Sequence, residues 1–275
     1  MKVRDKLWLF ASRAHDDDIF LGKSTENRFT RWSRITPAEG AAMLDVPNVI
    51  MIGSDGDPAP FSAEAYGYME SFCRMKNVVW SVTGSAGFRT GTEEKFICEL
   101  VKRYPNVVGA FADDFYEATA NLPASLEEKL QLVRDIRRQL DTAQRPLSMW
   151  LTVYTKYVAD LNPAMVDVFD TLTLWDMAAV DFDHYRESFE LLEQRFPDKK
   201  RYVGVYLYRY GIGEPTSNEY LAQQCEFGLQ MLKEGRADGI IFLTNCVMGV
   251  GLPSEYFIRD WIDNVKDQEL SIRLP

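Results

Sequence analysis

Short runs of aliphatic, aromatic and β-branched residues recur eight times along the chain, at residues 6–12, 49–53, 78–83, 107–112, 147–153, 171–175, 202–208 and 239–244. Their length and composition predict strands. Between them lie stretches with helical start signals. Thr36-Pro37-Ala38-Glu39 combines a capping threonine, a proline in the first turn and a reciprocating glutamate. Ser62, Thr92 and Ser125 stand at the heads of further helices. The longest runs from Ser125 to about Ala143, with Leu126, Leu130, Val133 and Ile136 at helical spacing. Asn162-Pro163 opens a short helix, and 181–196, 216–234 and 253–265 complete the set. Eight alternations of strand and helix predict parallel strands joined by right-handed crossovers. An open doubly wound sheet is the rival arrangement. No GxGxxG follows the first strand and no GxxxxGK[ST] is present. The count and this absence favour a (β/α)8 TIM barrel, with residues 1–275 as a single domain.

Alternation inside the strands separates two faces. In the fifth strand Leu147, Met149, Leu151 and Val153 oppose Ser148, Trp150, Thr152 and Tyr154. In the sixth, Leu172 and Leu174 oppose Thr171, Thr173 and Trp175. In the seventh, Val203, Val205 and Leu207 oppose Gly204, Tyr206 and Tyr208. The aliphatic face should meet the helices. Trp150, Tyr154, Trp175, Tyr206 and Tyr208 should therefore point into the upper barrel, either filling it or flooring a substrate pocket.

Active sites of such barrels gather where the strands end. The ends here are loaded with polar residues. They include Ser12 to Asp18 with His15, Ser54-Asp55-Gly56-Asp57, Asp113-Asp114, Tyr154-Thr155-Lys156, Trp175-Asp176, Tyr208-Arg209-Tyr210 and Thr244-Asn245-Cys246. Asp113 and Asp114 follow a small, apolar strand. Parity with Phe111 sends Asp113 inward and Asp114 to the rim, an order that a bend at the strand end would reverse. Asp176 lies two strands on, where it would face the first pair across a small pocket. Paired carboxylates are the requirement of glycoside hydrolysis. His15, Asp55, Arg209 and Asn245 are candidate substrate-binding groups, through hydrogen bonds or, for Arg209, through an anion. Cys246 is a weaker candidate nucleophile. Lys156 is the nearest candidate for a Schiff base.

The net charge of −10 opposes phosphate backbones and anionic lipid, so no nucleic acid or membrane partner is expected. No apolar run is long enough to span a bilayer. Two histidines in the whole chain argue against a histidine-rich zinc centre. No cofactor is expected, although the acidic loops at 15–18 and 55–57 leave a magnesium or calcium ion open. The four cysteines are scattered with no CxxC pair and read as free thiols. The compartment reads as cytoplasm, or as periplasm or exterior where a leader precedes the mature chain.

The placement of Asp113, Asp114 and Asp176 resembles the (β/α)8 glycoside hydrolases that carry an aspartate nucleophile after strand four and an aspartate acid/base after strand six. That resemblance implies Asp113 or Asp114 as nucleophile and Asp176 as acid/base. The stretches Gly204-Val-Tyr-Leu-Tyr-Arg-Tyr-Gly211 and Glu234-Gly-Arg-Ala-Asp-Gly-Ile-Ile-Phe-Leu243 also resemble an uncharacterised bacterial (β/α)8-barrel family with paired aspartates after strand four. The expected function is a carbohydrate-active hydrolase cleaving a glycosidic bond, with a small-molecule or oligosaccharide substrate. The alternatives are a metal-assisted sugar or sugar-acid lyase or isomerase, and a sugar-binding barrel without catalysis.

Overall fold

The computed structural model describes residues 1–21 and 32–270. Eight parallel strands close into a ring, β1 (Leu7–Ala11), β2 (Asn48–Met51), β3 (Asn77–Thr83), β4 (Val107–Ala112), β5 (Ser148–Tyr154), β6 (Thr171–Trp175), β7 (Lys200–Tyr206) and β8 (Gly239–Leu243). Neighbours in sequence are neighbours in the ring, and β8 closes on β1 through pairs such as Leu9 with Phe242. The crossover helices are α1 (Pro37–Leu44), α2 (Ala63–Ser71), α3 (Glu93–Arg103), α4 (Leu126–Leu140), α5 (Pro163–Val166), α6 (Phe182–Arg195), α7 (Asn218–Glu234) and α8 (Pro253–Val265). The chain is thus a (β/α)8 barrel.

Local chemistry explains the helix starts. The Thr36 and Ser125 hydroxyls each accept from the backbone three residues on, and Glu39 and Glu128 reach back to the cap N–H. Each cap of this kind stabilises its helix by about 1 kcal/mol. Ser62, Asn162, Asp181 and Ser217 cap their helices in the same way, without the reciprocal partner. The Thr92 side chain does not cap α3. Glu93 instead accepts from the Thr90 and Gly91 N–H groups, at 2.5 and 2.8 Å.

Two buried layers follow the two faces of the strands. Outward residues such as Leu9, Val49, Leu151, Leu172 and Val203 pack with the helices in one continuous core. Inward residues form a separate, mainly aromatic core. Its lower part holds Trp8, Trp150 and Tyr202, with ring centroids 4.4–6.0 Å apart. Phe10, Phe111, Trp175 and Tyr206 lie in contact above them, edge-on or tilted, with neighbouring centroids 5.2–5.6 Å apart. Rings of this size fit only because some inward positions carry no side chain. A Cβ on Gly204 would stand 2.3 Å from the Trp175 indole, and one on Gly239 would stand 2.3 Å from the Tyr202 ring.

The seventh strand ends two residues earlier than its apolar alternation predicts. After Tyr206, the Leu207 N–H still bonds Leu243 O at 2.9 Å, but the Leu207 carbonyl accepts from Thr216 N. The chain then turns into a short antiparallel ribbon that pairs Tyr208–Arg209 with Glu214–Pro215.

All four cysteines are free, Cys225 and Cys246 buried and Cys73 exposed. Among the described residues no helix is long and apolar enough to cross a membrane.

Close contact between Trp175 and Gly204 generates a stability prediction. Gly204→Ala forces the indole out of place, an overpacking change that costs about 1–3 kcal/mol. Urea unfolding of the two proteins measures it. An unchanged midpoint would mean that the ring relaxes freely.

Candidate active site

A cavity of about 290 Å³ opens above the aromatic core, at the carboxyl ends of the strands, and every strand or the segment just after it contributes to its wall. This is close to the lower end of the range for small-molecule sites, roughly 300–1,000 Å³. Phe10, Trp175 and Leu243 provide apolar surface, and Tyr154, Tyr206 and Tyr210 add rings with polar tips. The carboxylates on the wall are Asp16 and Asp17 after β1 and Asp113 and Asp114 after β4. Ser12, Ser54, Ser85, Thr152 and Thr244 supply hydroxyls.

Asp113 continues the inward parity of Gly109 and Phe111. It is 6 % exposed, and its Oδ1 accepts from the Thr152 hydroxyl at 2.9 Å. Its backbone is pinned to β3, where the Thr83 hydroxyl donates to Asp113 O at 2.8 Å. Asp114 does not turn to the rim. Its φ of 47° breaks the strand parity in the left-handed region, so two successive carboxyl groups reach one cavity. Asp114 Oδ1 accepts from the Tyr154 hydroxyl at 2.5 Å, and Oδ2 accepts from the Ala86 N–H at 2.9 Å.

Burial, with the charge of Asp114 beside it, holds the Asp113 carboxyl well above the usual aspartate range. The protonated form of Asp113 is favoured accordingly. Burial also drives the Tyr154 and Tyr206 phenols well above their ordinary value, reinforced by the nearby aspartates. Both remain neutral donors. On the β1 side, Asp17 accepts from the Tyr210 hydroxyl at 2.6 Å. Burial pushes its pKa up to about 6, against the effect of that hydrogen bond and with help from Asp16 and Asp18. Asp16 is held by Arg13 at 2.5 Å, and Arg13 also reaches Asp57 at 2.6 Å.

Several residues expected at the site lie elsewhere. Asp176 is a correction. It is 8 % exposed, yet it is absent from the cavity wall. Trp175 occupies the inward position, so the next residue points to the helices. There the Asp176 carboxylate accepts from the Tyr220 hydroxyl at 2.8 Å and from the Ala178 N–H at 3.2 Å. Trp150 points inward as expected but sits too low, where it fills the barrel against Trp8 and Tyr202. Tyr208 is displaced by the early end of β7 and packs in the outer core. Arg209 is spent on an ion pair with Glu214 at 2.7 Å across the short ribbon. Asn245 is fully buried. Its amide bonds Ser12 N, Ser12 O, Ile35 O and the Thr244 hydroxyl, which leaves nothing for a substrate hydroxyl. His15 is exposed and pairs with Asp18 at 2.9 Å. Asp55 is exposed at positive φ in a tight turn closed by Ser54 and Asp57.

Tyr154, Trp175 and Tyr206 do line the cavity with Asp113 and Asp114. Asp16, Asp17 and Tyr210 were legible only as loop residues, because their chain segments no longer follow strand parity. Burial pushes the Cys246 thiol up to about 12, which removes it as a nucleophile at neutral pH. Lys156 pairs with Glu117 at 3.1 Å, outside the cavity. Among the described residues no group of three or more His, Cys, Asp or Glu side chains is placed to hold a metal ion.

No protein-family model matches the chain, and no curated protein matches it in sequence. Solved structures match in fold. The glycoside hydrolase domain of PgaB (BpsB) from Bordetella bronchiseptica has a TM-score of 0.53 at 12% identity, over 96% of this chain and 99% of that one. YKL-39, solved in the presence of chitooligosaccharides, has a TM-score of 0.52 at 12% identity, over 93% of this chain and 98% of that one. A β-D-glucuronidase from Dictyoglomus thermophilum has a TM-score of 0.53 at 7% identity, over 96% of this chain and 51% of that one. The shared feature is the closed eight-stranded barrel, a fold that hosts many unrelated reactions.

The state of Asp17 has a consequence for stability. Between the ordinary value of 3.8 and about 6 the unfolded chain loses this proton while the native chain keeps it. Stability contributed by this group is complete below 3.8 and falls as pH rises to about 6. Asp17→Asn should remove that fall, so the variant gains on the parent at pH 7 relative to pH 4. Thermal unfolding of both proteins at the two pH values checks this, and parallel melting curves would contradict it.

Proposed function

We propose that this protein is a carbohydrate-active hydrolase acting in the cavity above the barrel, with Asp113 and Asp114 as its working pair. One observation carries the reading. Two adjacent carboxyl groups enter an aromatic-walled cavity in environments that separate their roles. Asp113 is buried, which favours its protonated form. Asp114 is anchored by a phenol and a backbone N–H, donors that suit a charged carboxylate. Trp175 and the tyrosines offer flat apolar faces with polar edges, a surface on which a sugar ring can stack. The barrel likeness to glycoside hydrolase domains supports the reading at the level of fold alone.

In this scheme Asp113 gives its proton to the leaving glycosidic oxygen as the bond to the anomeric carbon breaks. Asp114 takes a proton from the attacking water, whose oxygen bonds that carbon. One water is consumed, two hydroxyl products leave, and proton transfer from Asp114 to Asp113 restores the starting state. The Tyr154 hydroxyl, 2.5 Å from Asp114, fixes the carboxylate. Asp176 takes no part, because its carboxylate is committed to Tyr220 and Ala178. That commitment also favours the second reading, a sugar-binding barrel without turnover, since it leaves β6 with no carboxylate in the cavity.

Asp113→Asn and Asp114→Asn should each lower turnover of a panel of aryl glycosides by roughly 10²–10⁴-fold. Asp176→Asn should retain turnover within a few-fold. Parental rates in both Asp113 and Asp114 variants would overturn the proposal. Saturable binding by the parent with no product on long incubation would select the second reading.

A further inference from the structure

Among the described residues, five serines and threonines line the cavity, and three of them are already engaged within the protein. Thr152 donates to Asp113 Oδ1 at 2.9 Å, Thr244 donates to Asn245 Oδ1 at 3.1 Å, and Ser12 Oγ lies 3.2 Å from Cys246 Sγ. Ser54 and Ser85 differ. Both line the cavity, yet among the described residues neither hydroxyl has a hydrogen-bond partner. A serine hydroxyl can both donate and accept, so each is available to a ligand.

Their backbones, by contrast, are fixed. Ser54 closes a turn with Asp57 through bonds of 2.7 and 2.8 Å, and Arg13 holds the Asp57 carboxylate at 2.6 Å. The Ser85 N–H donates to Gly53 O at 3.2 Å, which ties the two serine segments together. That approach needs a glycine before Ser85, since a Cβ on Gly84 would stand 1.8 Å from Gly53 O. Asp55 and Ala86, the residues after the serines, have φ of 49° and 55°, and Asp114, after Asp113, has 47°. At three successive strand ends, β2, β3 and β4, a wall residue is thus followed by a non-glycine residue in the left-handed region. Such backbone persists only where its surroundings enforce it, and it gathers at ligand sites. The Ala86 N–H also reaches Asp114 Oδ2 at 2.9 Å, so the serines and the aspartate pair share one support.

The opposite wall has a different character. In the closed ring β2 and β3 lie across from β6 and β7, whose last residues are Trp175 and Tyr206. Their rings are in contact, with centroids 5.2 Å apart. One side of the cavity is therefore flat and largely apolar, and the other presents hydroxyls on rigid backbone. A sugar ring has the same division, an apolar face and an edge of neighbouring hydroxyls. Apolar surface with a few well-placed polar groups is how small-molecule sites fix orientation.

We propose that Ser54 and Ser85 are specificity-determining residues that receive two neighbouring hydroxyls of one sugar ring, with a face of that ring resting on Trp175 and Tyr206. This rests on the carbohydrate reading above and adds to it the orientation of the ligand and its class, a sugar unit with a free vicinal diol. Each serine replaces a water on the diol, donating to one lone pair or accepting one proton. A ligand that lacks either hydroxyl leaves a serine unpaired against its surface, and the loss falls on binding.

NMR titration of the whole chain with methyl glucoside, methyl galactoside, methyl mannoside and methyl xyloside selects the sugar that binds most tightly. Its 2-, 3- and 4-deoxy derivatives then form a cycle with Ser54→Ala and Ser85→Ala. Each variant should bind the intact sugar roughly 2- to 10-fold more weakly, the worth of one neutral hydrogen bond. For each serine, one deoxy derivative should bind the parent protein more weakly by a like factor, and the matching variant should lose nothing further on that derivative. The two derivatives found in this way should lack adjacent hydroxyls. Thermal melting of both variants should match the parent, because neither hydroxyl bonds within the protein, and this separates a ligand contact from a structural one. Parental affinity in both variants, or independent losses with every deoxy derivative at either serine, would overturn the inference and leave the carbohydrate reading standing. Failure of all four sugars to bind the parent would overturn both.

Discussion

The two-residue period of the strands, imposed on a closed ring, is the constraint from which the rest of the molecule follows. Every inward position must either fill the barrel or face its mouth, because a closed ring has no third option. Here the filling is aromatic to an unusual degree, and Gly204 and Gly239 give up their side chains to admit it. The mouth is then floored by Phe10, Trp175 and Leu243. A floor built this high leaves a cavity of about 290 Å³.

That small, partly apolar space sets the electrostatics. Carboxyl groups placed there lose hydration, and burial is the largest influence on both Asp113 and Asp17. The molecule tolerates this because each has a neutral donor, Thr152 for Asp113 and Tyr210 for Asp17. Neutral donors satisfy a carboxyl in either protonation state, whereas an arginine would lock it as an anion. Asp176 shows the contrasting outcome. It is as buried as Asp113, but it is turned toward the helices, where Tyr220 and the Ala178 N–H use both its oxygens. Burial alone therefore does not decide whether a carboxylate meets the cavity. The direction in which it faces does.

Asn245 makes a related point about polar residues at strand ends. Its four hydrogen bonds join the end of β1 to the loop before α1. By holding Ser12 in place it helps to shape the β1 side of the cavity without touching it. Arg209 and Glu214 act similarly on the ribbon after β7, and that ribbon carries Tyr210 back to Asp17. Groups that resemble ligand-binding residues in the sequence are here the supports of the residues that line the wall.

Much of this was legible in the amino-acid sequence, because strand period, helix caps and the count of units are local properties. Alternation alone assigned Trp175, Tyr206 and Asp113 to the interior, and the same parity, applied one residue further, would have turned Asp176 outward. Three decisions required the tertiary structure. Depth along the barrel axis separated Trp150, which fills, from Tyr154, which lines, since both share one face of β5. The left-handed backbone at Asp114 and the early end of β7 broke the strand period, bringing in Asp114 and Tyr210 and removing Tyr208. Desolvation of Asp113 and Asp17 arose from atoms distant in the chain. Sequence determines what repeats along a strand. Only closure of the ring decides how deep a side chain lies, where the repeat stops and which charges are left without water.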